Sequence, residues 1–212
     1  MSGGHDHPVF SRVYGLIATL GEHTGLADMR ARLLSGASGR LLVVGLGPGH
    51  DLDHLPPAVT SVVAVEPSGP MRHAAAGRVD AARARGLEVD VLDAVAESLP
   101  LDDGSVDAVL TALVLCSVDD LAASVGETHR VLRPGGTLHV LEHVAAEAGT
   151  RTAALQRAVA PVWPRLAGGC RADRRTREAI VAAGFDDADL HDTRQPGVPV
   201  VAPLLVGTAV RH

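Results

Sequence analysis

The segment "LLVVGLGPGH", residues 41–50, sets Gly45, Gly47 and Gly49 two residues apart behind a Val/Leu run. Glycine lacks a β-carbon and tolerates positive φ, so such a turn lets a ligand approach the backbone closely. Three ligands compete for it. A dinucleotide site spaces its glycines G-x-G-x-x-G against a helix N-terminus, and this turn is one residue short. A phosphate-binding P-loop needs a lysine after its last glycine, and His50 stands there. S-adenosylmethionine has no phosphate. It asks for backbone contacts at its methionine end and an acid for its ribose. Glu66, at the end of "TSVVAVEP", can accept from both ribose hydroxyls. Asp93, at the end of "LEVDVLD", can reach an adenine amine while the next residue offers its N–H. The plain alternatives are a tight turn that binds nothing and a turn carboxylate.

Around these residues the chain alternates strands and helices. Pro8–Leu34 has helical spacing, with Phe10, Val13, Tyr14, Ile17 and Leu20 on one face. A strand over 40–44 enters the glycine turn, and a second ends at Glu66. Ser68 can cap a helix ending near Gly86. "LEVDVLD" alternates as a third strand. "SVDAVLTALVLCSV" reads as one long strand covered on both faces. Ser117 or Asp119 can cap the helix "DLAASVGETHRVL", "RPGG" is a turn, and "TLHVLEHV" is a fifth strand. Residues 145–171 form a helix and then a lid-like excursion. "RRTREAIVAAGF" is a helix stopped at Gly184, and strands near 187–193 and 200–210 form a hairpin whose last strand is antiparallel. The expectation is a single domain over 1–212. It is an α/β, Rossmann-like, doubly wound, mostly parallel seven-stranded sheet with an N-terminal helical cap over 1–34.

Composition excludes several classes. The formal charge is −6, a poor match to nucleic acid. No apolar run is long enough to span a bilayer and no export signal opens the chain, so a cytoplasmic protein is expected. Its 2 cysteines, Cys116 and Cys170, lie far apart without a C-x-x-C. That spacing argues against a disulfide framework or a cysteine zinc site, and no metal centre is expected. "HDH" at 5–7 is a weak ligand pattern. Arg171, Arg174, Arg175 and Arg177 either meet a phosphate on an acceptor or form a solvated helix face.

The motif order resembles the class I S-adenosylmethionine-dependent methyltransferases. "VVGLGPG", "VVAVEPS", "LDAVAESLPLDDGSVDAVL" and "HRVLRPGGTLHVLEHV" carry the resemblance across residues 35–145. "LCSVDD", "LEHV" and "PVWPRLAGGCRADRRTREAIVAAGF" look like the group that includes alkyl thiol methyltransferases, and related bacterial sequences carry phospholipid or quinone methyltransferase labels. The resemblance implies S-adenosylmethionine across Gly45, Leu46, Gly47, Gly49, Glu66, Pro67, Ser68, Met71, Asp93, Ala94, Leu115 and Cys116. It implies that the N-terminal helix folds over the cofactor, where Tyr14 and Phe10 line the methyl pocket or simply pack. His143, at the end of strand five, takes a proton, holds a thiolate or packs. Packing is favoured over nucleophilic catalysis for Cys116. Trp163 and Cys170 shape an acceptor pocket. One departure is Val43, where the family carries an acid two residues before the first glycine. The expected partner is a small-molecule methyl acceptor, either a lipophilic thiol or a phospholipid headgroup, quinone or natural product. A cofactor-binding protein without catalysis is the other class. The expected assembly is a monomer or homodimer.

Overall fold

The computed structural model describes residues 25–212. Phe10, Tyr14 and "HDH" lie outside the described residues, as does most of the expected cap. Its remaining part is helix α1, Ala27–Leu34.

Strand β1 (Gly39–Val44) lies between β2 (Val59–Val65) and β4 (Val106–Ala112), both parallel to it. Beyond β2 lies β3 (Glu88–Leu92), and beyond β4 lies β5 (Leu132–His143). Strand β8 (Pro203–Arg211) runs antiparallel to β5. It also pairs with β6 (Phe185–Asp186) and β7 (His191–Arg194). The order is β3-β2-β1-β4-β5-β8-β6, with β7 on β8. The expected sixth strand is thus two short pieces, making eight strands rather than seven. The antiparallel last strand and its hairpin partner are as expected.

Alternation along β1 explains its near-continuous apolarity. Leu41 and Val43 enter one core and Leu42 and Val44 the other, one on each face of the sheet. Helices α2 (Gly69–Ala84), α3 (Leu121–Val131) and α6 (Thr176–Ala182) are crossovers and covers. Ser68 is the N-cap residue of α2, though its side chain makes no capping bond. For α3 the cap is Asp120, which accepts from the Ala123 N–H; neither Ser117 nor Asp119 has that role. The expected "RPGG" turn is the bulged start of β5. After β5 come α4 (Arg151–Val159) and the one-turn α5 (Trp163–Leu166), within residues 145–171. Among the described residues no helix is long and apolar enough to cross a membrane.

Strand order reverses at β1 and β4, where a ligand crevice opens at the carboxyl ends of an α/β sheet. The glycine turn follows β1, and residues 113–118 follow β4.

Candidate functional site

The chain leaves β1 at Gly45 with φ +70°, and a β-carbon there would stand 2.3 Å from the Val114 side chain. Glycine is therefore required. Gly47 also has positive φ, but a β-carbon there would meet open space. That is the side from which a ligand can reach the backbone. The Gly45 and Leu46 amides donate to the Val65 carbonyl, at 2.9 and 3.1 Å. Gly49 caps the short 3-10 turn His50–His54.

Glu66 shapes this turn. One carboxylate oxygen accepts from the Gly47 N–H and the other from the Ser68 N–H, each at 2.9 Å. The residue is buried, so its place is fixed before any ligand arrives. Arg72 donates to the Glu66 carbonyl at 2.6 Å and to the Asp93 carboxylate at 2.9 Å. The ends of β2 and β3 are thereby joined. The Asp93 side chain is exposed and ion-paired. Ser68 and Met71 are buried, while Pro67 and Ala94 are half-buried.

S-adenosylmethionine fits this set in two respects: an open backbone at Gly47 and a fixed carboxylate at Glu66. It meets no acid from β1. Val43 is 1 % exposed and packs with Leu41, Leu46 and Leu52. The nearby Asp51 carboxylate is engaged by Arg30.

Beyond β4 the expected long strand does not continue. It ends at Ala112, and Leu113 turns the chain with φ +59°. The cause lies on β5. Glu142 is completely buried and accepts from the amides of Val114, Leu115 and Cys116 at 3.2, 3.0 and 3.4 Å. Burial pushes its carboxyl up to about 7, against the pull of those amides. Three backbone donors on one carboxylate cannot also belong to a sheet ladder.

His143 closes β5. Its Nδ1 lies 3.7 Å from the sulfur of Cys116 and 3.7 Å from that of Cys170. All three ligand-type atoms fall within 4.8 Å of one another. The Gln195 amide nitrogen is 3.1 Å from His143 Nε2 and donates to the Val201 carbonyl at 2.9 Å. Both cysteines are buried in an apolar shell with Ala172, Val200 and Trp163. The Cys116 thiol is pushed up by its hydrogen bond with Cys170 and by burial. The Cys170 thiol is lowered, first by the Cys116 bond.

Gln156 on α4 gathers the backbone around it. Its amide nitrogen donates to the carbonyls of Val144, Ala172 and Val200, and its oxygen accepts from the Ala146 N–H. The Arg171 amide donates to the Cys116 carbonyl at 2.7 Å, tying the segment after α5 to the β4 loop. Of the arginine run, Arg174 donates to the Val118 carbonyl, Arg175 pairs with Glu178 and Arg177 with Asp187.

The structure therefore brings two groups of expected residues to the switch point. Gly45, Leu46, Gly47, Gly49, Glu66, Pro67, Ser68, Met71, Asp93 and Ala94 surround the glycine turn. Leu115, Cys116 and His143 gather at the ends of β4 and β5. Sequence reasoning missed the joining of Cys170 to Cys116 and His143, which reopens the expectation of no metal-ligating set. It missed Gln195 and Gln156 as well, because a single polar residue, in a loop or on a helix, carries no periodic signal.

Residues 42–140 match the family model described as "Methyltransferase domain". The human thiol S-methyltransferase TMT1A is 34% identical over 180 residues, covering 84% of this chain and 73% of that protein. The human thiol S-methyltransferase TMT1B is 33% identical over 184 residues, with 84% and 74% covered. Among solved structures, a SAM-dependent methyltransferase from Thermotoga maritima superposes with a TM-score of 0.70 at 21% identity, covering 97% of this chain and 98% of that one. That likeness concerns the fold.

Proposed function

Since the chain belongs to the SAM-dependent methyltransferases, we propose that it methylates the sulfur of a small lipophilic thiol. Identity to two thiol S-methyltransferases over 84% of the chain carries this reading. The acceptor side supports it. Residues 145–171 contain one carboxylate, Glu147, against Arg151, Arg157, Arg165 and Arg171. Such a segment repels an ammonium and suits a neutral or anionic sulfur. Trp163 adds apolar surface beside His143 and the cysteines.

When bound, S-adenosylmethionine supplies a methyl group already activated on a sulfonium. The chain's own task is to hold, align and keep dry, and positioning alone can supply about 7–11 kcal/mol of the acceleration. In our reading Glu66 accepts from the ribose hydroxyls while holding the Gly47 and Ser68 amides. Asp93 and the Ala94 amide meet the adenine, with Leu46, Pro67 and Met71 as its apolar surroundings. Leu115 and Cys116 face the methionine end, on a loop that Glu142 holds rigid. His143 serves the acceptor sulfur, and Tyr14 contributes to the methyl pocket.

The test is calorimetric titration with S-adenosylmethionine and its demethylated product, then labelled-methyl transfer across alkyl thiols, phenols and amines. Thiol turnover is expected, slowed in His143→Ala with cofactor affinity retained. Turnover of amines with no activity on any thiol would replace this reading with headgroup N-methylation.

A further inference from the structure

Two thiols and an imidazole, drawn from three separate elements, converge at the end of the sheet where the acceptor must enter. We propose that Cys116, His143 and Cys170 form a three-ligand site for a soft divalent metal, zinc in chemistry, whose fourth position takes the acceptor thiol as a thiolate. This inference rests on the thiol reading above and says how the sulfur is made nucleophilic.

The geometry suits the ion. With metal–sulfur and metal–nitrogen bonds of about 2.3 and 2.0 Å, a tetrahedral site separates sulfur from nitrogen by about 3.5 Å. Both S–N separations here are 3.7 Å. Three protein ligands with one open position is the arrangement of a catalytic zinc rather than a structural one. The thiolate-rich donor set selects a soft metal over magnesium or calcium.

The ligands are held independently of any ion. Glu142 accepts from the Cys116 amide, and the Arg171 amide binds the Cys116 carbonyl. The Cys170 amide donates to the Ala167 carbonyl at 3.1 Å. His143 pairs with Leu204 across β5 and β8. Ala172, Val200 and Trp163 keep the surroundings apolar. Gln195 is the outer partner that a metal-bound imidazole requires. As it stands, its amide nitrogen donates to the Val201 carbonyl and faces Nε2, which places the imidazole proton on Nδ1, between the sulfurs. Metal binding releases the S–H protons of Cys116 and Cys170 to water and moves the imidazole proton from Nδ1 to Nε2, leaving two thiolates and a neutral imidazole as ligands. Rotation of the Gln195 amide then presents its oxygen to Nε2–H, at the cost of the Val201 bond.

The chemistry balances. On binding, the acceptor S–H bond breaks, its proton leaves to water, and the sulfur keeps the pair as a metal-bound thiolate. In the transfer, a sulfur lone pair forms the new S–CH3 bond. The carbon–sulfonium bond breaks and its electron pair returns to the departing thioether. The methylated product is itself a neutral thioether, a weak ligand, and leaves.

The experiment uses the full chain purified without chelator. Metal analysis should find about one zinc per chain, falling below about a tenth in Cys170→Ser and in His143→Gln. Circular dichroism and cofactor titration confirm that each variant is folded. Cobalt substitution should give thiolate-to-cobalt charge-transfer bands and tetrahedral visible bands, and a small alkyl thiol should shift the latter. No metal after zinc loading, or cobalt bands unchanged in Cys170→Ser, overturns the site. Bands that ignore added thiol overturn its acceptor role. A Cys116–Cys170 disulfide in place of metal also overturns it. Thiol methylation at full rate by metal-free enzyme defeats this inference and leaves the thiol reading intact. Thiol-responsive bands without any thiol methylation uphold the metal site and sink the acceptor assigned above.

Discussion

Glu66 holds two backbone amides and, in the proposed complex, two ribose hydroxyls. Its charge serves both. Glu66→Gln keeps the size, but its NH2 must face either the Gly47 or the Ser68 N–H, so one backbone bond is lost and the others lose a charge assistance worth about 1.5–3 kcal/mol each. Cofactor affinity by calorimetry should therefore fall about 10- to 100-fold; an unchanged constant would take Glu66 out of the ribose site. Val43 presents the opposite case. Restoring the family's acid with Val43→Glu has two physical outcomes, a tighter cofactor or a weaker fold. With the residue 1 % exposed among Leu41, Leu46 and Leu52, the second is expected. An unpaired buried carboxylate should cost about 3 kcal/mol or more, seen as a lower melting temperature, and an unshifted melt would mean that water reaches the position. The glycine turn and Glu66 were legible because each stands directly after a Val/Leu-rich strand, β1 and β2. Cys116, His143 and Cys170 were not. They stand 27 residues apart at each step, and only the sheet, the Glu142-held loop and the lid bring them together.

Glu142 and Gln156 act at the level of elements. Each gathers backbone groups that no strand or helix satisfies. The long strand read over "SVDAVLTALVLCSV" failed for this reason: its apolarity continues past Ala112, but its amides turn to Glu142. Parallel strands and crossover helices were legible from alternation and turn residues. A buried side chain that ends a strand leaves no mark in hydropathy. Gln156 likewise joins α4 to residues 144, 146, 172 and 200. Gln156→Leu fits the space but strands three carbonyls and an amide, at about 1–3 kcal/mol for each group that water cannot reach. Amide exchange should quicken at Ala146 and around the lid before it does in β1 or β4. A uniform rise across the whole sheet would show instead that the lid is no separate unit.

His139 ties the layers of the molecule together. It sits on β5, 1 % exposed, with Nδ1 2.9 Å from the Leu33 carbonyl at the end of α1. Burial lowers its pKa, against the pull of that carbonyl. The folded chain therefore keeps it neutral where the unfolded chain protonates it. Its contribution is complete above the unfolded value of about 6.5 and is lost as pH falls toward the folded value, by at most about 1.4 kcal/mol per pH unit. His139→Leu should flatten the fall in melting temperature as pH drops below about 6.5, and equal slopes in both proteins would refute the assignment. β8 is the last strand in chain order, yet it lies inside the sheet, bonded to β5 on one side and to β6 and β7 on the other. During synthesis the parallel half can assemble as it emerges, but until residues 203–211 clear the ribosome β5 presents a bare hydrogen-bonding edge. His143 stays exposed on it. A stall late in translation would leave that edge open to pairing with neighbouring chains on the same message.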